Sequence, residues 1–466
     1  MKTLARFLWL AAGCCATACG NEFLEVKPDQ SQRIPSTIAD YQAMMDYSTN
    51  WMNTASSHEL ALVGGEEFSI SDAQWNSFPI DLSGPVTYQK NAYTWAKEVF
   101  QGGETGNDWV VGYVRILRAN VVLDGLAAMQ PMSNELPEWE QVKGAALFHR
   151  ALNYYSMAQL FCGVYDPASV SGQPGLPLRL SADLTTLIPR STLQETYECI
   201  LNDLRQAAEL LPEKPIHQFR PSKAAVFALL TRVYLQMREY PLALESADRS
   251  LRISGELLDY NGVNTSARYP FPVYGEGNPE VLFMNNMPNT LISRVTYHNI
   301  FPSLLAAYEP DDLRLLAFFY RYSDGRITFK GSYRGSSQYF TGLATGEMYL
   351  ARAECYARLG QPGKALDDMN HLLVHRYVSG AYTPLVTIAE DDLLPLILLE
   401  RRKELLFRGV RWEDLRRLNH EGRFQTTLKR TIDGKTYELP PEHPNWTWPI
   451  PPEAIAIGGY QQNERN

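Results

Sequence analysis

The stretch Ser222–Leu251, SKAAVFALLTRVYLQMREYPLALESADRSL, decides the fold. It reads as two helices joined by a tight turn at Arg238-Glu239-Tyr240-Pro241. Tyr234 on the first helix is followed nine residues later by Ala243 on the second. A large ring packed over a small residue lets two helices approach closely. A second stretch, Thr345–Leu373, TGEMYLARAECYARLGQPGKALDDMNHLL, repeats the arrangement with Tyr356, Ala365 and a turn at Leu359-Gly360-Gln361-Pro362-Gly363. This is the helix–turn–helix pattern of a tetratricopeptide repeat. Arg150, Ala151 and Tyr155 suit the first helix of a further, interrupted unit. Its second helix, Ser191–Leu211, follows the loop Gly163–Arg190 and is bounded by Ser191 and Pro212.

Working outward, most of the chain is predicted to be helical. Ser36–Asp46 opens on a capping-type serine and carries Ile38, Tyr41, Met44 and Met45 at helical spacing. Asn107–Met129 places Val110, Tyr113, Val114, Leu117, Val121 and Leu126 three or four residues apart, which predicts a long helix buried along that stripe. Glu138–Phe161 is another. Three regions break the pattern: 50–106, 257–342 and 426–466. The middle one holds short alternating pieces such as Arg326-Ile327-Thr328-Phe329, which suit small strands. The chain has 9 Trp, 26 Tyr and 18 Phe, and many lie in these regions. Such segments are too aromatic for disorder and are read as ordered loops on a helical scaffold, where binding usually sits.

The first residues carry a separate message. Lys2 and Arg6 precede the apolar run Phe7–Ala12, and Ala16, Thr17 and Ala18 lead to Cys19. That is the layout of a cleaved signal peptide spanning residues 1–18, with an apolar run too short to cross a bilayer. A cysteine at the position after cleavage is like a bacterial lipobox, in which the thiol is acylated. An alternative cysteine, Cys14, follows a much shorter apolar run. The net charge of −9 and the lack of a basic run argue against nucleic acid as a partner. Cys162, Cys199 and Cys355 show no metal spacing and are expected to be small buried hydrophobes.

Few catalytic signatures are present. There is no Gly-rich phosphate loop, no His-Glu-x-x-His and no Gly-x-Ser-x-Gly. His371 and His375 share a helix face, but such a pair is more often solvated than metal-bound. No cofactor or metal is expected. The charged run Leu399–Arg417, LERRKELLFRGVRWEDLRR, interleaves acids with arginines around apolar residues and is read as a helix pair with internal salt bridges.

Several motifs together resemble the SusD/RagB family of outer-membrane lipoproteins. Cys19-Gly20-Asn21-Glu22-Phe23-Leu24-Glu25 looks like the family's mature start. Glu400-Arg401-Arg402-x-Glu404-Leu405 with Gly409-x-Arg411-Trp412-x-Asp414-Leu415-Arg416-Arg417 is similar to its most recognisable helix pair. Tyr349-Leu350-x-Arg352-Ala353-Glu354, Trp448-Pro449-Ile450-Pro451 and Gln461-Gln462-Asn463 follow in the family's order. Two departures stand out. Arg408 replaces a usual Glu, which puts one internal salt bridge of the motif in question. Thr345-Gly346 replaces a more usual Arg-Leu.

The resemblance implies a mainly α-helical fold, a TPR-like scaffold of about four helix pairs with an irregular ligand-binding part. The expected organisation is a single domain over 19–466, with helices mainly within 36–46, 107–252 and 343–425, and ligand-binding regions at 50–106 and 257–342. It implies acylation at Cys19, surface exposure at the outer membrane and no enzymatic activity. It also implies a SusC-like TonB-dependent transporter as partner and an oligosaccharide as cargo. Peptide capture, a helical-toroid glycosidase and a pure assembly scaffold are the rival readings. Sugars present apolar C–H faces rimmed by hydroxyls, which suit Trp and Tyr rings beside polar groups. The expected ligand-binding residues are Asp72, Trp75, Asn76, Tyr88, Tyr274, Arg294, Tyr297 and Tyr333. Trp95 and Trp109 are expected in the core.

Overall fold

A computed structural model describes residues 35–46, 52–54, 58–78, 86–101, 103–287, 292–294 and 296–466. Cys19 and the signal segment lie outside the described residues. Nine longer helices build the scaffold: α1 (Asn107–Ala127), α2 (Leu136–Phe161), α3 (Leu193–Leu210), α4 (Lys223–Met237), α5 (Tyr240–Ile253), α6 (Thr345–Arg358), α7 (Pro362–Leu373), α8 (Glu390–Glu404) and α9 (Arg411–Leu418). Consecutive helices pack side by side from α1 to α5, α6 packs on α5, and α7 and α8 pack on α6. The quoted stretch forms α4 and α5. Ser222 caps α4, its Oγ accepting from the Ala225 N–H at 3.4 Å, and Arg238 closes it in the left-handed region at φ 61°. Pro241 sits in the first turn of α5, where its missing N–H costs nothing. Ala243 and Ala365, the small residues expected at the helix crossings, are fully buried.

The stripe expected on α1 is a correction. Val110 is exposed, Tyr113, Val114, Leu117 and Val121 are only half-buried, and Leu126 alone lies inside. The buried face instead carries Trp109, Val111, Ile116, Ala119, Val122 and Leu126. The reason is that α1 is apolar nearly all round. Its second face is covered by the 174–183 loop, which it holds through Tyr113 Oη to Pro177 O (2.9 Å) and Asn120 Nδ2 to Arg179 O (2.9 Å). Periodicity cannot choose a phase when both sides are partly covered.

The strands are short. Among the described residues they form five two-stranded antiparallel sheets. Two matter below: β1 (Phe319–Arg321) with β2 (Ile327–Phe329), and β3 (Leu428–Ile432) with β4 (Lys435–Leu439). Ile327–Phe329 lies where alternation predicted a strand. Among the described residues no helix is long and apolar enough to cross a membrane.

The charged run becomes α8 and α9; some of its ion pairs are internal, as expected, such as Arg401 with Asp414, and others reach partners outside the run. Arg401 Nε meets Asp414 at 2.8 Å and Arg417 Nη1 meets Glu354 at 2.6 Å. Glu404 accepts from both Arg314 (3.2 Å) and Arg376 (2.9 Å), and Arg376 also reaches Glu280 at 2.7 Å. All four of these side chains are fully buried. Arg314 and Glu280 belong to the irregular region, so this network joins the loops to the scaffold. It also explains Gly346: a Cβ there would stand 3.1–3.2 Å from Glu404 Oε1, Arg376 Nη2 and Glu280 Oε2. Arg408, where a salt bridge was in question, makes no ion pair among the described residues and lies over the Tyr333 ring at 4.3 Å.

The Trp-Pro-Ile-Pro segment is fixed by a tryptophan cluster. Trp412 stacks on Trp448 at 5.0 Å and meets Trp446 at 4.6 Å. Gly64 fits beneath them; a Cβ there would meet the Trp448 ring and stand 2.9 Å from Trp412. Gly64→Ala is therefore expected to lose about 1–3 kcal/mol by overpacking a rigid site, read as a lowered urea midpoint with unchanged slope. Cys162, Cys199 and Cys355 are free thiols, two buried and one half-buried. Burial pushes Cys162 up to about 11.

Candidate functional site

The irregular regions converge on one surface. Ser71 opens the short helix Asp72–Asn76 with a reciprocal cap: its Oγ accepts from the Gln74 N–H (3.3 Å) and its own N–H donates to Gln74 Oε1 (2.9 Å). Gln74 then ties this turn to a second segment, its Nε2 donating to Thr296 O at 3.5 Å and its Oε1 accepting from Asn299 Nδ2 at 3.3 Å. A backbone bridge between Ser69 and Asn299 locks the pair (2.7 and 2.8 Å). The same segment holds the β1–β2 hairpin, through Arg326 Nη1 to Thr296 O (3.3 Å) and the Ile300 N–H to Ile327 O (2.9 Å).

These ties line up aromatic rings. Trp75 is half-buried, edge-on to Phe78 at 6.3 Å, and the Lys90 ammonium lies 4.7 Å from its ring centre. Phe78 meets Tyr297 at 4.6 Å. Beyond the Thr296 carbonyl, Arg326 covers Tyr322 at 4.5 Å, and Tyr322 meets Tyr320 at 4.8 Å. Arg268 lies 4.2 Å over Tyr320 and donates to Tyr322 Oη at 3.0 Å. The result is a belt of two ring groups, Trp75–Phe78–Tyr297 with Phe78 buried beneath, and Tyr322–Tyr320, joined through Arg326 and the Thr296 carbonyl, with cationic N–H donors beside the rings.

The β3–β4 hairpin closes one side of the belt. Its Asp433-Gly434 tip has positive φ at both residues (47° and 76°), as a two-residue hairpin turn requires. The Asp433 N–H donates to Asp72 Oδ1 (2.9 Å), and Asn76 Nδ2 donates to Asp433 Oδ1 (3.0 Å). Asp72 and Asn76 are both exposed and are held in place by this contact. Burial lowers the Lys90 ammonium from its ordinary value, and Asp433 offsets part of that. Bonds from Arg326 hold the Asp324 carboxyl below the usual range. Asp324 is thus an ionised acceptor on the hairpin that carries Tyr320 and Tyr322. This surface can stack on C–H faces and hydrogen-bond hydroxyls.

Of the expected residues, Asp72, Trp75, Asn76 and Tyr297 come together here, and exposed Arg294 lies on the Tyr297 segment. Tyr274 stands apart, half-buried under Arg334 at 3.5 Å and against Phe219. Tyr88 and Tyr333 are corrections. Tyr88 is 3% exposed and its hydroxyl donates to Glu59 at 2.6 Å. Tyr333 is 1% exposed and donates to Glu280 at 2.7 Å. Both rings pin loops to the core and offer no face to a ligand. Trp95 and Trp109 are buried, as expected. Sequence reasoning missed Lys90, Arg268, Tyr320, Tyr322, Arg326 and Asp433. One signal was available: Tyr320 and Tyr322 are two apart beside a strand, which puts both rings on one face.

Comparison with known proteins places this architecture. A family model described as starch-binding associating with outer membrane matches residues 22–235, and one described as the SusD family matches residues 320–464. Two relatives are SusD-like proteins P38 and P2 of Formosa agariphila. They are 23% and 24% identical, over 67% and 66% of this chain and 72% and 71% of their own. A SusD superfamily protein of Bacteroides thetaiotaomicron superposes with a TM-score of 0.72 at 19% identity, covering 92% of this chain and 100% of that one. A putative sugar binding protein of Bacteroides vulgatus gives 0.71 at 20%, covering 92% and 99%.

Proposed function

The chain belongs to the SusD/RagB family, and from that premise we propose that it is a surface lipoprotein, acylated at Cys19, that binds oligosaccharide along the Trp75–Tyr320 belt. The bound glycan is passed on unchanged to a SusC-like TonB-dependent barrel in the outer membrane. Residues 1–18 are the signal peptide, and the TPR-like helices carry the loops that grip the ligand. One observation carries the reading: two ring groups from three separate segments, Trp75 with Tyr297 and Tyr320 with Tyr322, are tied together through Arg326 and the Thr296 carbonyl and flanked by Lys90 and Arg268. Stacking of this kind adds about 0.5–1.5 kcal/mol per contact beyond area burial. Multi-point capture of that strength suits a protein that must let its cargo go.

Calorimetric titration with neutral oligosaccharides, acidic oligosaccharides and peptides, with product analysis of the same mixtures, tests it. Saturable saccharide binding without new products is expected. Binding of peptide alone, or release of shorter sugars, would overturn the reading. Trp75→Ala is expected to weaken saccharide binding about tenfold with an unchanged melting temperature. Unchanged affinity would remove Trp75 from the site. Mass spectrometry of protein purified from membranes should find fatty acid on Cys19.

A further inference from the structure

The belt's cations are not alike. Lys90, Arg326 and Arg268 each lie over a belt ring. Asp433 partly answers the Lys90 charge, and Arg326 Nε pairs with Asp324 at 2.8 Å. Arg268 has no carboxylate within ion-pair distance among the described residues. It stacks 4.2 Å over Tyr320 and spends one N–H on Tyr322 Oη at 3.0 Å. A guanidinium is a flat fork of several such donors. Arg268 is half-buried, and none of its nitrogens is both sealed from solvent and unbonded. The rest of the fork therefore opens outward, beside a Tyr320 ring that is 36% exposed.

A second cation stands beneath it. Tyr320 pairs with Thr328, so alternation puts Arg326, Thr328 and Lys330 on the hairpin face that carries Tyr320 and Tyr322. Lys330 is 6% exposed. Its ammonium donates to the Thr265 and Ala267 carbonyls at 2.6 and 3.0 Å, in the loop that carries Arg268. It too makes no ion pair among the described residues. Burial, then the Arg268 charge, lowers the Lys330 ammonium from its ordinary value, so the two like charges feel each other. Buried cations are normally paired with an acid. Here a chain of net charge −9 holds two cations together at one end of the belt, with carbonyl and hydroxyl oxygens as their partners. A neutral sugar would stack on Tyr320 and leave that charge standing. A cation would add to it. An anionic group on the sugar answers it, and the planar fork matches a pair of anionic oxygens.

Resting on the belt as the saccharide site, we propose that its Tyr320 end selects acidic oligosaccharides: Arg268 binds a carboxylate or sulfate on a sugar stacked against Tyr320, and Lys330 fixes the Arg268 loop and adds its charge from beneath. Calorimetric titration of the full mature chain with matched pairs tests this. The pairs are tetragalacturonate against its methyl ester and a sulfated tetrasaccharide against its desulfated form, with tetraglutamate as an anion that carries no sugar. At low salt the acidic member of a pair is expected to bind about tenfold more tightly than its neutral partner, and the preference should shrink as added salt screens it. Which pair shows it tells carboxylate from sulfate. Arg268→Gln should reduce the preference to within about twofold, and Arg268→Lys should restore part of it, which a damaged fold would not do. Slowed hydrogen exchange in 264–269 and 318–330 locates the contact. Equal affinity for acidic and neutral members overturns the proposal and leaves the belt standing, whereas binding of no saccharide overturns the belt itself. A preference that survives Arg268→Gln also overturns the proposal, as does tetraglutamate bound as tightly as the acidic sugars.

Discussion

Glu404→Gln is expected to lower the unfolding free energy by about 3–5 kcal/mol, the usual effect of removing one partner from a buried ion pair. Glu404 is fully buried and answers two arginines, Arg314 and Arg376, which are themselves fully buried. Gln keeps the shape and loses the charge. Arg314 retains Asp312 and Glu400, and Arg376 retains Glu280. Lys403 shares Asp312 and Glu400, so each guanidinium still loses a buried charged partner that no water replaces. Because the network spans the loops and α8, loosening should be felt at the belt as well. Chemical denaturation measures the first effect, and hydrogen exchange of 312–330 measures the second. A loss under about 1 kcal/mol would mean that solvent reaches the network.

The second large effect is the pH profile, whose acid limb is set by buried carboxylates. Burial alone would raise Glu354, but the guanidinium groups of Arg417 and Arg358 outweigh it and hold the carboxyl down at about 2, against an ordinary 4.5. Glu404 is held down in the same direction by Arg376 and Arg314. For a depressed acid, the unfolded chain binds more protons between the two values. The stabilisation is present above about pH 4.5 and lost as pH falls toward 2, on the order of 3 kcal/mol per carboxylate. Other acids act oppositely. Burial raises Glu67 and Glu413 to about 7, and Asp108 moves the same way. These stay protonated in the fold while the unfolded chain ionises, so stability falls as pH rises from about 4.5 to 7. Burial also lowers His58 and His149 to about 3 and His298 to about 4; these stay neutral in the fold while the unfolded chain protonates below about pH 6.5, so they oppose the three raised acids. Melting temperatures should rise from pH 3 to about 4.5, and Glu404→Gln should flatten that limb. Glu67→Gln should make the change in melting temperature from pH 5 to pH 7 more positive, and an unaltered change would contradict the burial of that acid.

The helical frame was legible because its signals are local. Ser222, the Arg238–Pro241 turn and the tyrosine–alanine spacing need only neighbouring residues, and each stands in the structure where the sequence put it. The ion pairs of Leu399–Arg417 were foreseen in kind, since interleaved charges around apolar residues leave few other arrangements. The partners outside the run, Arg314, Arg376 and Glu354, were not.

The belt was half legible. Trp75 and Tyr297 were found as loop aromatics, yet Tyr88 and Tyr333 were equally good candidates by that criterion. Buried Glu59 and Glu280 separate the two groups, because each binds a tyrosine hydroxyl and draws the ring inward. On α1 the same ambiguity appears in another form: a helix apolar on both sides cannot reveal which stripe the core will take.

What the chain's order of residues determined unaided was its periodicity, its turns and its family motifs, all short-range properties of the backbone and its nearest side chains. Which rings face water, which charges meet, and which cations are left without a carboxylate were decided only when distant segments closed on one another. Exposure and pairing depend on desolvation by those segments, and a one-dimensional reading does not contain that quantity.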